Sequence, residues 1–226
     1  MNKTFFLVFL VLSLGILADN NDKEFSYSSI GINFIEAEKS GFAINLSIDL
    51  PGAFYTTLER KADGIDYKNE SYDKIVDTVR FGAHMGIGDL IGSISAGEFQ
   101  FKVKNLFDVF LEVGIKTSDF DGKKFNFQGD DTHASYLAGI RFGNNKGWEG
   151  KFFLDASKEA TIIESENPVC QALSCPPYDA ILSDESDKKF GINFLRNINN
   201  RHAFFIEASS SKVVDNTVKI GYQFNF

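Results

Sequence analysis

Residues 42–50 read Phe42-Ala43-Ile44-Asn45-Leu46-Ser47-Ile48-Asp49-Leu50. Every second residue is large and apolar, and those between are small or polar. A period of two belongs to a strand, whose side chains point alternately to opposite faces. The pattern recurs on both sides of this stretch. Phe107, Val109, Leu111, Val113 and Ile115 alternate with Asp108, Phe110, Glu112, Gly114 and Lys116. Tyr136, Ala138, Ile140 and Phe142 alternate with Ser135, Leu137, Gly139 and Arg141, and Val218, Ile220, Tyr222, Phe224 and Phe226 close the chain. The alternation predicts about ten strands, over 25–37, 42–50, 53–61, 75–88, 106–117, 132–143, 147–157, 188–196, 202–211 and 217–226. The stretch 91–104 is read as a long turn, although Phe99, Phe101 and Val103 alternate. If it pairs, the count moves to eight or twelve.

Alternation does not say which face is inside. In a soluble sandwich or lipocalin-type barrel the apolar face is the core. In a membrane barrel it meets lipid, and the polar face lines the interior. Three features favour the membrane. Several strands reach about ten residues, enough to cross a bilayer at a tilt. The polar faces carry Gly, which weakens a solvent-facing strand but fits a crowded, curved interior. Aromatic residues gather at strand ends (Trp148, Tyr222, Phe224, Phe226). The connections also differ in length. Pro51-Gly52, 143–147 and 197–201 are short, whereas 61–74, 117–132 and 156–187 are long and polar, as expected of two unlike rims.

The final run Tyr222-Gln223-Phe224-Asn225-Phe226 resembles the C-terminal strand of bacterial outer-membrane barrels. With the repeated strands, the chain resembles the small outer-membrane barrel superfamily, the OmpA/OmpX-type porin-like domains. The resemblance implies a closed, all-β, antiparallel up-and-down transmembrane β-barrel. It also implies an outer-membrane location, lipid and lipopolysaccharide as surroundings, and a barrel assembly machinery that reads Tyr222, Phe224 and Phe226. It brings no catalytic motif.

Residues 1–18 carry Lys3, an apolar run from Phe5 to Leu17, and Ala18 before Asp19. That is the layout of a secretory signal peptide, too short for a spanning helix; residues 19–226 are then the barrel domain. Cys170 and Cys175 sit in a segment holding three of the 4 prolines. Zinc would want four ligands, so a local disulfide in an oxidising compartment is expected. A net charge of −8 over 226 residues argues against nucleic acid as a partner.

On the lipid-outside reading the interior collects Asp49, Asp108, Glu112, Glu149, Asp155 and Glu207 against Arg80, Lys116, Arg141, Lys151 and Lys219. Mixed charges in a narrow lumen pair with one another, since an unpaired charge away from water is costly. A largely plugged, monomeric barrel acting structurally or through its extracellular loops is expected. A narrow channel or a transporter of a hydrophobic ligand is the alternative. The acid-rich stretch 159–187 reads as a solvated loop, or as a surface for divalent cations or a basic partner. A loop-borne hydrolase is the remaining alternative. Asp119-Phe120-Asp121 with Asp131-Thr132-His133 suggests an omptin-like protease, and His133-Ala134-Ser135 a lipid A deacylase. Neither set is placed as those families place theirs, so no catalytic residue, cofactor or metal is expected.

Overall fold

The computed structural model describes residues 25–37, 39–67, 70–87, 107–120, 125–127, 131–144, 146–164, 178–182, 187–211 and 216–226. The signal peptide, the 91–104 stretch, Asp121, Cys170 and Cys175 lie outside the described residues. The strands are β1 (Ser29–Glu36), β2 (Lys39–Asp49), β3 (Phe54–Tyr67), β4 (Glu70–Gly86), β5 (Phe107–Phe120), β6 (Phe125–Phe127), β7 (Thr132–Gly143), β8 (Trp148–Ser157), β9 (Ala160–Glu164), β10 (Tyr178–Leu182), β11 (Asp187–Asn197), β12 (His202–Ser210) and β13 (Thr217–Asn225). Ten of them close into one barrel, in the order β1-β13-β12-β11-β8-β7-β5-β4-β3-β2. Neighbours are antiparallel throughout, and the seam joins Ser29 of β1 to Asn225 of β13. β6, β9 and β10 form a separate small sheet.

The apolar rows face outward. Ile32 is 58% exposed, Phe42 65%, Leu111 55% and Phe190 63%, while Glu112 on β5, next in sequence to Leu111, is 4% exposed. In a soluble protein these values would be reversed. A belt of bare Phe, Ile, Leu and Val around charged residues requires lipid outside. Leu46 and Ile48, on the same row as Phe42 and Ile44, are buried. Aromatic pairs mark the short-turn rim. Phe54 stacks on Phe81 at 5.4 Å, and Phe204 meets Tyr222 at 5.5 Å.

Inside, small residues make room for large ones. Tyr55 lies directly across from Gly82, Phe110 from Gly139, Phe153 from Gly191, Phe205 from Gly221, and Asn45 from Gly31. A Cβ on Gly191 would lie 2.1 Å from the Phe153 ring, and one on Gly82 would lie 2.4 Å from the Tyr55 ring. Each of the five two-strand units of the barrel therefore contains one glycine filled by its partner's side chain.

Three expectations are corrected. The stretch 61–74 is not a long loop: β3 and β4 run through it and pair out to Tyr67 and Glu70. Beyond the lipid belt both strand faces turn polar, so the alternation that marks a strand disappears from the sequence. Residues 25–28 are not strand. Phe25 and Tyr27 alternate with Ser26 and Ser28 but turn into the barrel mouth and are buried. The ends of the acid-rich stretch are not solvated. β9 and β10 pair antiparallel, and Glu159, Asp179 and Asp187 are each 3% exposed.

Candidate functional site: the lumen

The inward faces of the barrel strands bring charges from distant parts of the chain into contact. At mid-height Arg80 Nη2 lies 2.9 Å from Asp155 Oδ2, and Arg80 Nε donates to Ser135 Oγ at 2.9 Å. Its other terminal nitrogen is 3.9 Å from Glu112 Oε2, and Glu112 also accepts from Tyr55 Oη at 2.9 Å. Lys219 lies 3.4 Å from Glu207 and 3.6 Å from Glu59. These charges are shielded from bulk water, so each would be costly without its partner.

The short-turn end is organised around Arg141 and Tyr27. Arg141 pairs with Glu149 at 2.5 Å, and Asn197 Nδ2 donates to the other Glu149 oxygen at 2.8 Å. The Arg141 guanidinium lies 4.6 Å from the Tyr27 ring centre and 5.0 Å from that of Phe25. Tyr27 Oη donates to Asp108 Oδ2 at 2.6 Å, and the same carboxylate oxygen is 3.0 Å from His84 Nδ1. Asp49 is buried beside this cluster and its backbone N–H donates to Ser28 Oγ at 3.1 Å.

At the opposite end Glu159, just past β8, reaches inward. Its carboxylate is 2.6 Å from Lys116 and 3.5 Å from Lys189, and Lys116 also donates to Ser157 Oγ at 3.1 Å. Burial alone would raise the Glu159 carboxyl. The two ammonium groups outweigh it and hold that carboxyl well below the usual range. Beyond this latch, Tyr72 and Phe120 on the inner faces of β4 and β5 pack with Ala160, Ile162 and Ala180 of the small sheet. The small sheet thus sits against the inner wall of the long-loop rim.

Between the two ends lies a cavity of about 250 Å³. Its wall runs from Tyr27 and Tyr55 through Arg80 and Glu112 to Lys61 and Lys189. Lys151 differs from the other cations. Its ammonium lies 4.6 Å from the Phe110 ring centre and 5.5 Å from that of Phe153, and no described carboxylate is within salt-bridge distance.

Several of these residues were not singled out from sequence. Glu59 shares the inward parity of Tyr55 and Thr57, and that parity could have found it. Lys61 and Lys189 lay where a loop was expected or at a strand edge. Nothing in the sequence pairs Tyr27 with Asp108 or Glu159 with Lys116. For the hydrolase alternatives, Ser135 is fully buried on the lumen side with its hydroxyl bonded to Arg80, away from lipid. His133 is its neighbour along the same inner face, opposite Lys116 in the ladder.

No family model matches the chain, and no curated protein matches it. Solved structures do. A KdgM porin is 8% identical, with a TM-score of 0.43, covering 88% of this chain and 99% of its own. The β-domain of the Bordetella autotransporter Brka is 12% identical, with a TM-score of 0.40, covering 89% and 100%. The Ralstonia pickettii toluene transporter TbuX is 7% identical, with a TM-score of 0.29, covering 88% of each chain. At such identities and scores the likeness assigns no solute, partner or activity to this chain.

Proposed function

We propose that this chain is an outer-membrane β-barrel whose narrow polar lumen passes water and small ions. The belt of exposed apolar rows supports the membrane placement. The observation that carries the passage is the continuous cavity lined by charge from Tyr27 to Lys189. The row from Tyr55 to Lys61 alone covers ~20 Å at ~3.3 Å per residue. A volume of about 250 Å³ over such a length suits water and small ions, not a bulky solute. The ion pairs line this space and leave part of it open. In this reading the short turns face the periplasm, residues 1–18 direct export, and Tyr222, Phe224 and Phe226 are what the assembly machinery reads.

A second reading has its own observation. Both ends of the lumen are obstructed, one by Phe25–Ser28 and the other by the small sheet. A shut barrel acting through its outer loops would look the same. Single-channel recording on the folded protein in planar bilayers separates the two. Folding is verified by the mobility shift between unheated and boiled samples. Discrete current steps are expected; their absence from folded protein overturns the passage and favours the shut barrel. Recovery of the protein in the soluble periplasmic fraction overturns the placement as well.

A further inference from the structure

We propose that residues Phe25–Ser28 are a built-in gate at the short-turn rim, held shut by Tyr27. The proposal rests on the lumen being a passage, and names what closes it. The segment is not a strand, so the barrel does not need it for its ladder. Yet it is more tightly held than a connecting segment has reason to be. Phe25 is 4% exposed and Tyr27 is 5% exposed. The Tyr27 ring lies flat against His84 at 4.0 Å and tilted against Tyr55 at 4.5 Å, with the Arg141 guanidinium over it at 4.6 Å. Its hydroxyl donates to Asp108 at 2.6 Å.

The backbone is tied as well. Ser47 Oγ donates to the Tyr27 carbonyl at 2.6 Å, and Arg141 donates to the Ser26 carbonyl at 3.1 Å. These contacts reach β2, β3, β4, β5 and β7, five neighbouring strands, so the segment leans over that half of the mouth instead of lying along one strand. Tyr27 and Ser26 also line the cavity, which places the segment at one end of it. Releasing it costs one backbone bond beside the seam, Phe226 N–H to the Ser28 carbonyl at 3.2 Å, and none of the residue pairs of the ladder, which begin at Ser29 and Asn225, so the open and shut forms share one barrel. The contacts that hold it are a few hydrogen bonds and ring contacts, few enough to be released together. Such an element opens by local release without unfolding.

The test uses the full-length protein with Phe25→Ala and Tyr27→Ala combined, and Tyr27→Phe as a milder variant that keeps the ring and loses the Asp108 bond. Folding is checked by the gel mobility shift. The fraction of time open in planar bilayers is expected to rise by roughly ten-fold or more in the double variant, because a hydrogen bond to a charged acceptor and several ring contacts go together. Y27F is expected to fall between. A second readout does not depend on ion flow. With Cys170 and Cys175 replaced by Ser, Thr57→Cys places a thiol on the cavity wall, and its labelling by a small water-soluble reagent is timed. Faster labelling in the double variant, or in Y27F if the double variant fails to fold, supports the gate even where neither protein carries current. That result would remove the passage alone. Equal labelling and equal open fractions in folded wild type and variants overturn the gate and leave the passage standing. Equal labelling with no current from any folded protein overturns both.

Discussion

Arg80 on β4 and Asp155 on β8 meet across the lumen at 2.9 Å, although 75 residues separate them in sequence. Arg80 also lies 3.9 Å from Glu112, so it serves two carboxylates. Arg80→Met leaves both without their cation. Breaking a shielded pair by removing one partner costs ~3–5 kcal/mol. Urea unfolding in lipid vesicles is expected to show that loss, with most of it recovered in Arg80→Met combined with Asp155→Asn and Glu112→Gln. An unchanged midpoint for the single variant would mean that water already screens these groups.

Gly191 faces the Phe153 ring, and a Cβ there would lie 2.1 Å from it. Gly191→Ala is expected to destabilise by ~1–3 kcal/mol, the usual range for overpacking. In a Phe153→Leu background the cost of Gly191→Ala is expected to shrink. A double-mutant cycle with no coupling would show that the ring moves aside freely.

The Glu159 carboxyl is held low by Lys116 and Lys189 against the effect of burial. A lowered folded value means the carboxylate stabilises the fold fully above its ordinary value of 4.5, and that this is lost as pH falls toward the folded one. Wild type is therefore expected to exceed Glu159→Gln in stability by its full margin at pH 6 to 7. That margin is expected to narrow below about pH 4.5. A margin that widens on acidification would contradict this sign.

The cavity wall carries five carboxylates, Glu59, Glu112, Glu149, Asp155 and Glu207, and seven basic side chains, Lys61, Arg80, Lys116, Arg141, Lys151, Lys189 and Lys219. An excess of fixed positive charge concentrates anions in a narrow passage. Reversal potentials in a potassium chloride gradient are expected to show chloride preference, reduced in Lys61→Gln. Potassium preference would show that Asp49 and Asp108, buried at the short-turn end, set selectivity instead.

The barrel itself was legible because lipid imposes a strict rule on every spanning residue. Phe42, Ile44, Leu111 and Phe190 could only be apolar, and their neighbours only small or polar. Where the strands leave the lipid the rule stops, and so did legibility. Residues 61–67 and 70–74 are strand in the structure, yet nothing in their sequence alternates by polarity. The lumen charges were readable by parity as a set. Their partners were not, because which of Glu112, Asp155 or Glu207 meets Arg80 depends on register and shear across strands distant in sequence. Tyr27 illustrates the remaining gap. Its place against His84 and Asp108 is set by the chain turning inward at Ser28, and period-two patterns do not record turns.

The seam between β1 and β13 has a consequence for the order of assembly. Eight residue pairs from Ser29–Asn225 to Glu36–Val218 join the two ends of the ladder. Until they meet, a ten-strand sheet of greasy rows carries two raw edges able to zip onto a neighbour. Safe delivery therefore depends on how soon β13 reaches β1, and the stretch most vulnerable to clumping is the wait for that last partner.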